Sequence, residues 1–107
     1  RYGTGMVDWT SYEDYHKTAW QRQLHIYEVP FYYIEYGMAQ LGAIAVWRNY
    51  KQNAEKALDA YDRALKLGYT KSIGAIYAAA DIKFDFSATY VKELADFVKC
   101  ELELLSN

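Results

Sequence analysis

Cysteine and proline are almost absent from this 107-residue chain, which holds one of each, and histidine occurs only twice. The lone Cys100 cannot close an internal disulfide, so a disulfide framework is excluded. Lying between Val98 and Leu102, it reads as a small residue near the apolar face of a helix. His16 and His25, with no second cysteine, are too few for a zinc site of the chain's own. There is no H-E-x-x-H, no phosphate-cradling glycine loop and no nucleophile elbow. Basic excess is also lacking: 12 Lys and Arg stand against 14 Asp and Glu, for a net charge of −2. That leaves no electrostatic footprint for a nucleic acid or an anionic membrane surface. The longest polarity-poor run, Gly37 to Trp47 with Gln40 inside it, falls short of the roughly 20 residues that cross a bilayer. It is read as a buried helix. No basic-then-apolar leader opens the chain, and a cytoplasmic location is expected. The chain opens on Arg1, and Arg1 to Val7 reads as the interior of a longer sequence, so a piece of a larger protein is expected.

What is present points to helices. Hydrophobic residues make up 52 % and charged residues 24 % of the chain, enough for one modest helical unit over residues 1–107. Sparse proline and glycine favour long helices, and an all-α fold of about five helices is expected. Thr10 or Ser11 caps a first helix over Tyr12 to Gln23, with Glu13 and Asp14 in its first turn. His25 to Val29 forms a connector. Pro30 suits the first position of a second helix running from Phe31 to about Lys51. In that helix Gly37 and Gly42 are expected to let a neighbouring backbone approach. Asn53 caps a third helix, in which Ala54, Ala57, Leu58, Tyr61, Ala64 and Leu65 keep helical spacing. Asp59 with Arg63, and Asp62 with Lys66, make i, i+4 pairs on its other face, and Gly68 ends it. Ser72 starts a short fourth helix through about Ala80. Asp81 to Phe86 forms an extended connector. Ser87 caps a last helix with Val91, Leu94, Val98, Leu102 and Leu105 on one face.

Candidate chemistry concentrates between His25 and Tyr36. Four of the chain's 12 tyrosines lie in these twelve residues. On the expected helix Tyr32 and Tyr36 share a face, and His25 precedes it in the connector. The phenol is un-ionised at neutral pH and imidazole titrates near it, so the cluster offers donors suited to an oxyanion or a peptide carbonyl. Tyrosines at a helix start also serve simply to pack, with hydroxyls at the rim of a core. His16 reads as a solvated helix residue. Glu28 and Glu35 read as solvated, or paired with Arg22 or Arg48.

The stretch His25 to Trp47, HIYEVPFYYIEYGMAQLGAIAVW, resembles the segment that follows the metal site in oligoendopeptidase F-like peptidases, relatives of the thimet oligopeptidases. The resemblance continues through Leu58 to Ile73 and the closing helix after Asp85-Phe86-Ser87. It implies the carboxy-terminal helical portion of a larger zinc metallopeptidase that hydrolyses short peptides. The zinc and its ligands, two histidines of H-E-x-x-H and a later glutamate, would lie upstream of this chain. By the same resemblance His25 matches a histidine that contacts the substrate backbone. Tyr32 matches a tyrosine that donates to the oxyanion, with Phe31-Tyr32 standing where the thimet branch has Gly-Tyr. Tyr36 matches the next tyrosine, Ala39 stands where that branch has a third, and the spacing from His25 leaves Tyr33 as an alternative to Tyr32. Alone, the chain is expected to show no peptidase activity and to bind no stoichiometric zinc, and an exposed apolar face would favour self-association. The competing reading is a non-enzymatic helical module of tetratricopeptide type, because Ala54 to Leu67 has suitable Ala, Tyr and Leu spacing. The period of about 34 residues that such repeats require is absent.

Overall fold

Three polar side chains start three helices in the later part of the chain. Asn53, Ser72 and Ser87 each accept a hydrogen bond from the backbone N–H three residues on, at Lys56, Ala75 and Tyr90. Each satisfies a donor that the first helical turn leaves unpaired. The computed structural model describes residues 5–106, and among them are six α-helices and no strand. They are α1 (Glu13–Thr18), α2 (His25–Glu28), α3 (Ile34–Gln52), α4 (Ala54–Leu67), α5 (Ile73–Ala79) and α6 (Ala88–Leu105), with a 3-10 turn at Ala19–Arg22 between α1 and α2. The fold is all-α. The chain groups into two units, one ending at Glu35 and the other beginning at Tyr36.

The first unit departs from the sequence expectations in its local detail. Neither Thr10 nor Ser11 caps α1. Thr10 donates from both its amide and its hydroxyl to the Asp8 carboxylate, at 2.9 and 2.6 Å, so that hydroxyl is turned away from the helix. The expected helix to Gln23 gives way to the 3-10 turn after Thr18. The expected connector at His25 instead forms the single turn of α2. His16 is exposed, as expected, and its ring stacks on Trp9 with centroids 4.7 Å apart.

In the second unit, α3 and α6 meet along one seam. Ala45, Tyr90 and Leu94 form the buried cluster, with Leu41, Ile44 and Ile82 packed against it. Trp47 meets Phe97 edge-on at 4.9 Å. Arg48 pairs with Glu93 at 3.8 Å and Lys51 with Glu101 at 2.8 Å. Partners advance together along both helices, so the two run in the same sense, a geometry that needs the intervening α4 and α5 as a crossover. Of the α6 stripe expected to be buried, Leu94 is inside, whereas Leu102 and Leu105 are exposed. Cys100 is exposed too, contrary to its expected place near the apolar face.

Helix α4 buries three of its four alanines. Ala57, Ala60 and Ala64 are inside, while Leu58, Tyr61 and Leu65, expected on the buried face, stand exposed. Small side chains face inward because α4 lies close to α5. Asp62 and Lys66 pair as expected. Arg63 instead reaches Asp81 beyond α5, at 3.5 Å. Asn49 of α3 donates to the Asp81 carbonyl at 2.9 Å. Asp81 itself has φ of +56°, so two helices hold the residue whose left-handed backbone turns the chain into the extended connector. Gly68 closes α4 with φ of +51°, its N–H donating to the Leu65 carbonyl.

The close approach expected at the α3 glycines occurs at only one, and a side chain makes it. The Tyr77 hydroxyl of α5 crosses Gly42 and donates to the Met38 carbonyl at 2.9 Å. A Cβ at position 42 would lie 2.8 Å from that hydroxyl and 3.1 Å from the ring carbon bearing it, while a Cβ at Gly37 would meet nothing within 4 Å. Burial, and then the neighbouring Tyr90, push the Tyr77 phenol above its ordinary value, so it remains a donor. Gly37→Ala should therefore raise stability by up to about 1 kcal/mol through helix propensity. Gly42→Ala should lower it by about 1–3 kcal/mol through overpacking. Urea unfolding of the two variants decides this, and equal shifts would show that Tyr77 yields freely. Tyr90 gives a second expectation. Its hydroxyl is buried without a hydrogen-bond partner among the described residues, while Arg48 and Lys83 each lie 5.7 Å from the ring centre. Tyr90→Phe should keep or raise stability, by up to about 1 kcal/mol, since an unpaired buried hydroxyl is removed and the ring stays. A clear loss in the same melts would show that the hydroxyl has a partner.

Candidate functional site

The segment richest in candidate chemistry is built on a turn rather than on a helix start. Pro30 does not open α3, which begins at Ile34. Phe31 has φ of +66°, a left-handed conformation that a helix cannot contain. The turn is fastened by backbone bonds: Val29 N–H donates to the His25 carbonyl, Tyr32 N–H to Val29 and Glu35 N–H to Tyr32, at 3.1, 3.1 and 3.0 Å. One turn of helix at His25 thus leads directly into the turn that carries Tyr32 and Tyr33.

This arrangement groups three of the four candidate residues. The half-buried His25 ring lies nearly parallel to Tyr32, with centroids 6.4 Å apart and planes 5° apart. Tyr33 is tilted against the same imidazole at 5.4 Å and 60°. Both distances lie in the range where aromatic rings attract one another. In the same unit Trp20 stacks on Tyr27 at 6.2 Å. Tyr32 and Tyr33 are each a little under half exposed, so the cluster is partly open to solvent.

Tyr36 is placed differently. It lies in the first turn of α3 and begins the second unit. Because Tyr32 precedes that helix, i, i+4 spacing does not put Tyr32 and Tyr36 on one helical face. Arg48, considered a partner for Glu35 or Glu28, pairs with Glu93. The residues that the sequence reading passed over are Tyr77 and Tyr90, which organise the second unit. A tyrosine in an otherwise alanine-rich short helix, with a glycine in the middle of the long one, was the available signal for Tyr77.

Chemically, the His25 group joins one imidazole to two phenols. It can donate hydrogen bonds to a carbonyl or an anion. Among the described residues no three His, Cys, Asp or Glu side chains are placed to hold a metal ion. No helix among them is long and apolar enough to cross a membrane. No protein-family model, curated protein or solved structure matches this chain.

The backbone at Phe31 can be tested directly. A non-glycine residue in the left-handed region costs roughly 1–2 kcal/mol, and Phe31 is almost fully exposed, so its side chain gives little packing in return. Phe31→Gly should preserve or increase hydrogen-exchange protection of the Tyr32 and Glu35 amides. Phe31→Val, β-branched, should reduce it. Unchanged protection in both variants would mean that this turn carries no strain.

Proposed function

We propose that this chain is the substrate-contacting part of a zinc-dependent endopeptidase of the oligoendopeptidase F type, acting on short, unstructured peptides in the cytoplasm. The observation that supports it best is the grouping of the His25 ring with the partly exposed Tyr32 and Tyr33. In this reading His25 and Tyr32 donate hydrogen bonds to the scissile carbonyl oxygen as it gains negative charge. Tyr33 and Tyr36 contact the peptide substrate. Donors set in place before reaction stabilise the developing charge without reorganising when it forms. The resemblance of His25 to Trp47 to the peptidase segment supplies the reaction class. Zinc would be held by residues outside this chain.

The test is to sequence the gene upstream of the Arg1 codon, express the complete reading frame and compare Tyr32→Phe with the parent. An H-E-x-x-H in that frame and zinc-dependent peptide hydrolysis are expected. Losing one oxyanion donor lowers turnover by about 10²–10³, or roughly 2.7–4 kcal/mol. Tyr32→Phe should accordingly depress kcat far more than it raises KM, and Tyr33→Phe should do less. A kcat within about twofold of the parent removes Tyr32 from this role. A frame without such a motif removes the peptidase reading.

A further inference from the structure

Two carboxylates bracket the His25 group. Glu28 follows His25 on the single turn of α2, where the Val29 N–H donates to the His25 carbonyl. Positions three apart on such a turn are neighbours on one face. Glu35 stands in the same relation to Tyr32, and its N–H donates to the Tyr32 carbonyl at 3.0 Å. A bond of this span brings the side chains at its two ends to one side. Each carboxylate therefore adjoins one ring of the His25–Tyr32 pair, and Tyr33 lies against the same imidazole.

The charge at this place is unanswered. Glu28 and Glu35 are exposed, and neither carboxylate has an ion pair or a hydrogen bond among the described residues. Over residues 5–35 five carboxylates stand against two basic side chains, and one of these, Lys17, is paired with Asp14. Such a surface selects a cation. The described residues bring together no three ligands for a metal ion, which leaves an organic one. The rings narrow the choice further. The face of a phenol is the negative side of its quadrupole and attracts an ammonium or guanidinium placed over it. Tyr32 and Tyr33 are 44 % and 47 % exposed, so their rings are within reach of a ligand. A guanidinium is planar, stacks on an aromatic face and forks onto a carboxylate, whereas an ammonium is a strongly hydrated point charge.

From this geometry we propose that Glu28 and Glu35, with the faces of Tyr32 and Tyr33, form a site for an arginine side chain of a bound peptide. The inference rests on the peptidase reading and names the peptides its site takes, those with arginine beside the scissile bond. Donation to the scissile carbonyl uses ring edges, the Tyr32 O–H and a His25 N–H, whereas the arginine meets ring faces and carboxylates. One group of residues thus serves both contacts.

The chain would be titrated with a short blocked peptide holding one arginine among glycines, and with its citrulline counterpart, which keeps the shape and loses the charge. Shifts of the Tyr32, Tyr33 and Glu35 amide signals in nuclear magnetic resonance spectra report occupancy. Saturable shifts are expected with the arginine peptide, and at least fivefold weaker binding, about 1 kcal/mol, with the citrulline one. The preference should shrink as sodium chloride rises from about 0.01 M to 1 M, because exposed charges are screened. It should vanish in the double variant Glu28→Gln with Glu35→Gln, whose helices circular dichroism checks. The citrulline comparison needs no variant and decides even where the double variant unfolds. Equal affinity for the two peptides, no saturable shift of these amides, or a preference unchanged in the folded double variant would overturn the inference. Hydrolysis of both peptides with equal kcat/KM by the complete reading frame would overturn the substrate class and leave the peptidase reading standing. A frame product that captures the arginine peptide but hydrolyses no peptide would overturn that reading and leave the arginine site standing.

Discussion

The hydrogen bond from Tyr77 across Gly42 to the Met38 carbonyl sets the arrangement of the second unit. A phenol can reach a helix carbonyl from the side only where the intervening position lacks a Cβ, and Gly42 supplies that gap in an otherwise continuous α3. With α5 fixed against α3 at this point, the chain leaving α5 arrives where Asn49 and Arg63 can hold Asp81. The connector beyond it then carries Ile82 into the seam between α3 and α6. Burial keeps the Tyr77 proton on its oxygen, so the donor survives through ordinary pH.

A consequence of this close packing is a core made largely of alanine. Among the buried apolar residues, Ala45, Ala57, Ala60, Ala64 and Ala80 outnumber Tyr90 and Leu94. Small side chains let helices approach, yet each removes little area from water, and burial free energy scales with that area. The larger apolar residues of α4 and the end of α6 are left outside. Helix α4 thus turns Ala57, Ala60 and Ala64 inward and leaves Leu58 and Leu65 exposed.

The His25 group rests on a different constraint. Its geometry depends on Phe31 adopting a left-handed conformation directly after Pro30. Had the helix begun at Pro30, Tyr32 would have pointed from a helical face and the imidazole would have met it differently. The turn instead places consecutive tyrosines, Tyr32 and Tyr33, against one ring. Adjacent side chains on a helix diverge by about 100°, so such convergence belongs to a turn.

The helical class and the later caps were legible in the sequence. Asn53, Ser72, Gly68 and Ser87 act through bonds within a few residues of themselves, and such local bonds depend on residue type and order alone. The grouping of His25 with neighbouring tyrosines was legible as proximity. Its geometry was not, because the sign of φ at Phe31 is a choice among local minima that Pro30 does not dictate. Which face of α4 turns inward was likewise hidden, since Ala and Leu both fit an apolar stripe and only the closeness of α5 favours the smaller. Arg63 choosing Asp81 over Asp59, Cys100 facing outward, and Tyr77 finding Gly42 all join residues distant in sequence or weigh one helix face against another. The amino-acid order by itself determined where α4, α5 and α6 begin and where α4 ends, through short-range hydrogen bonds. Tertiary structure alone decided which faces meet, because that depends on how closely two helices can approach.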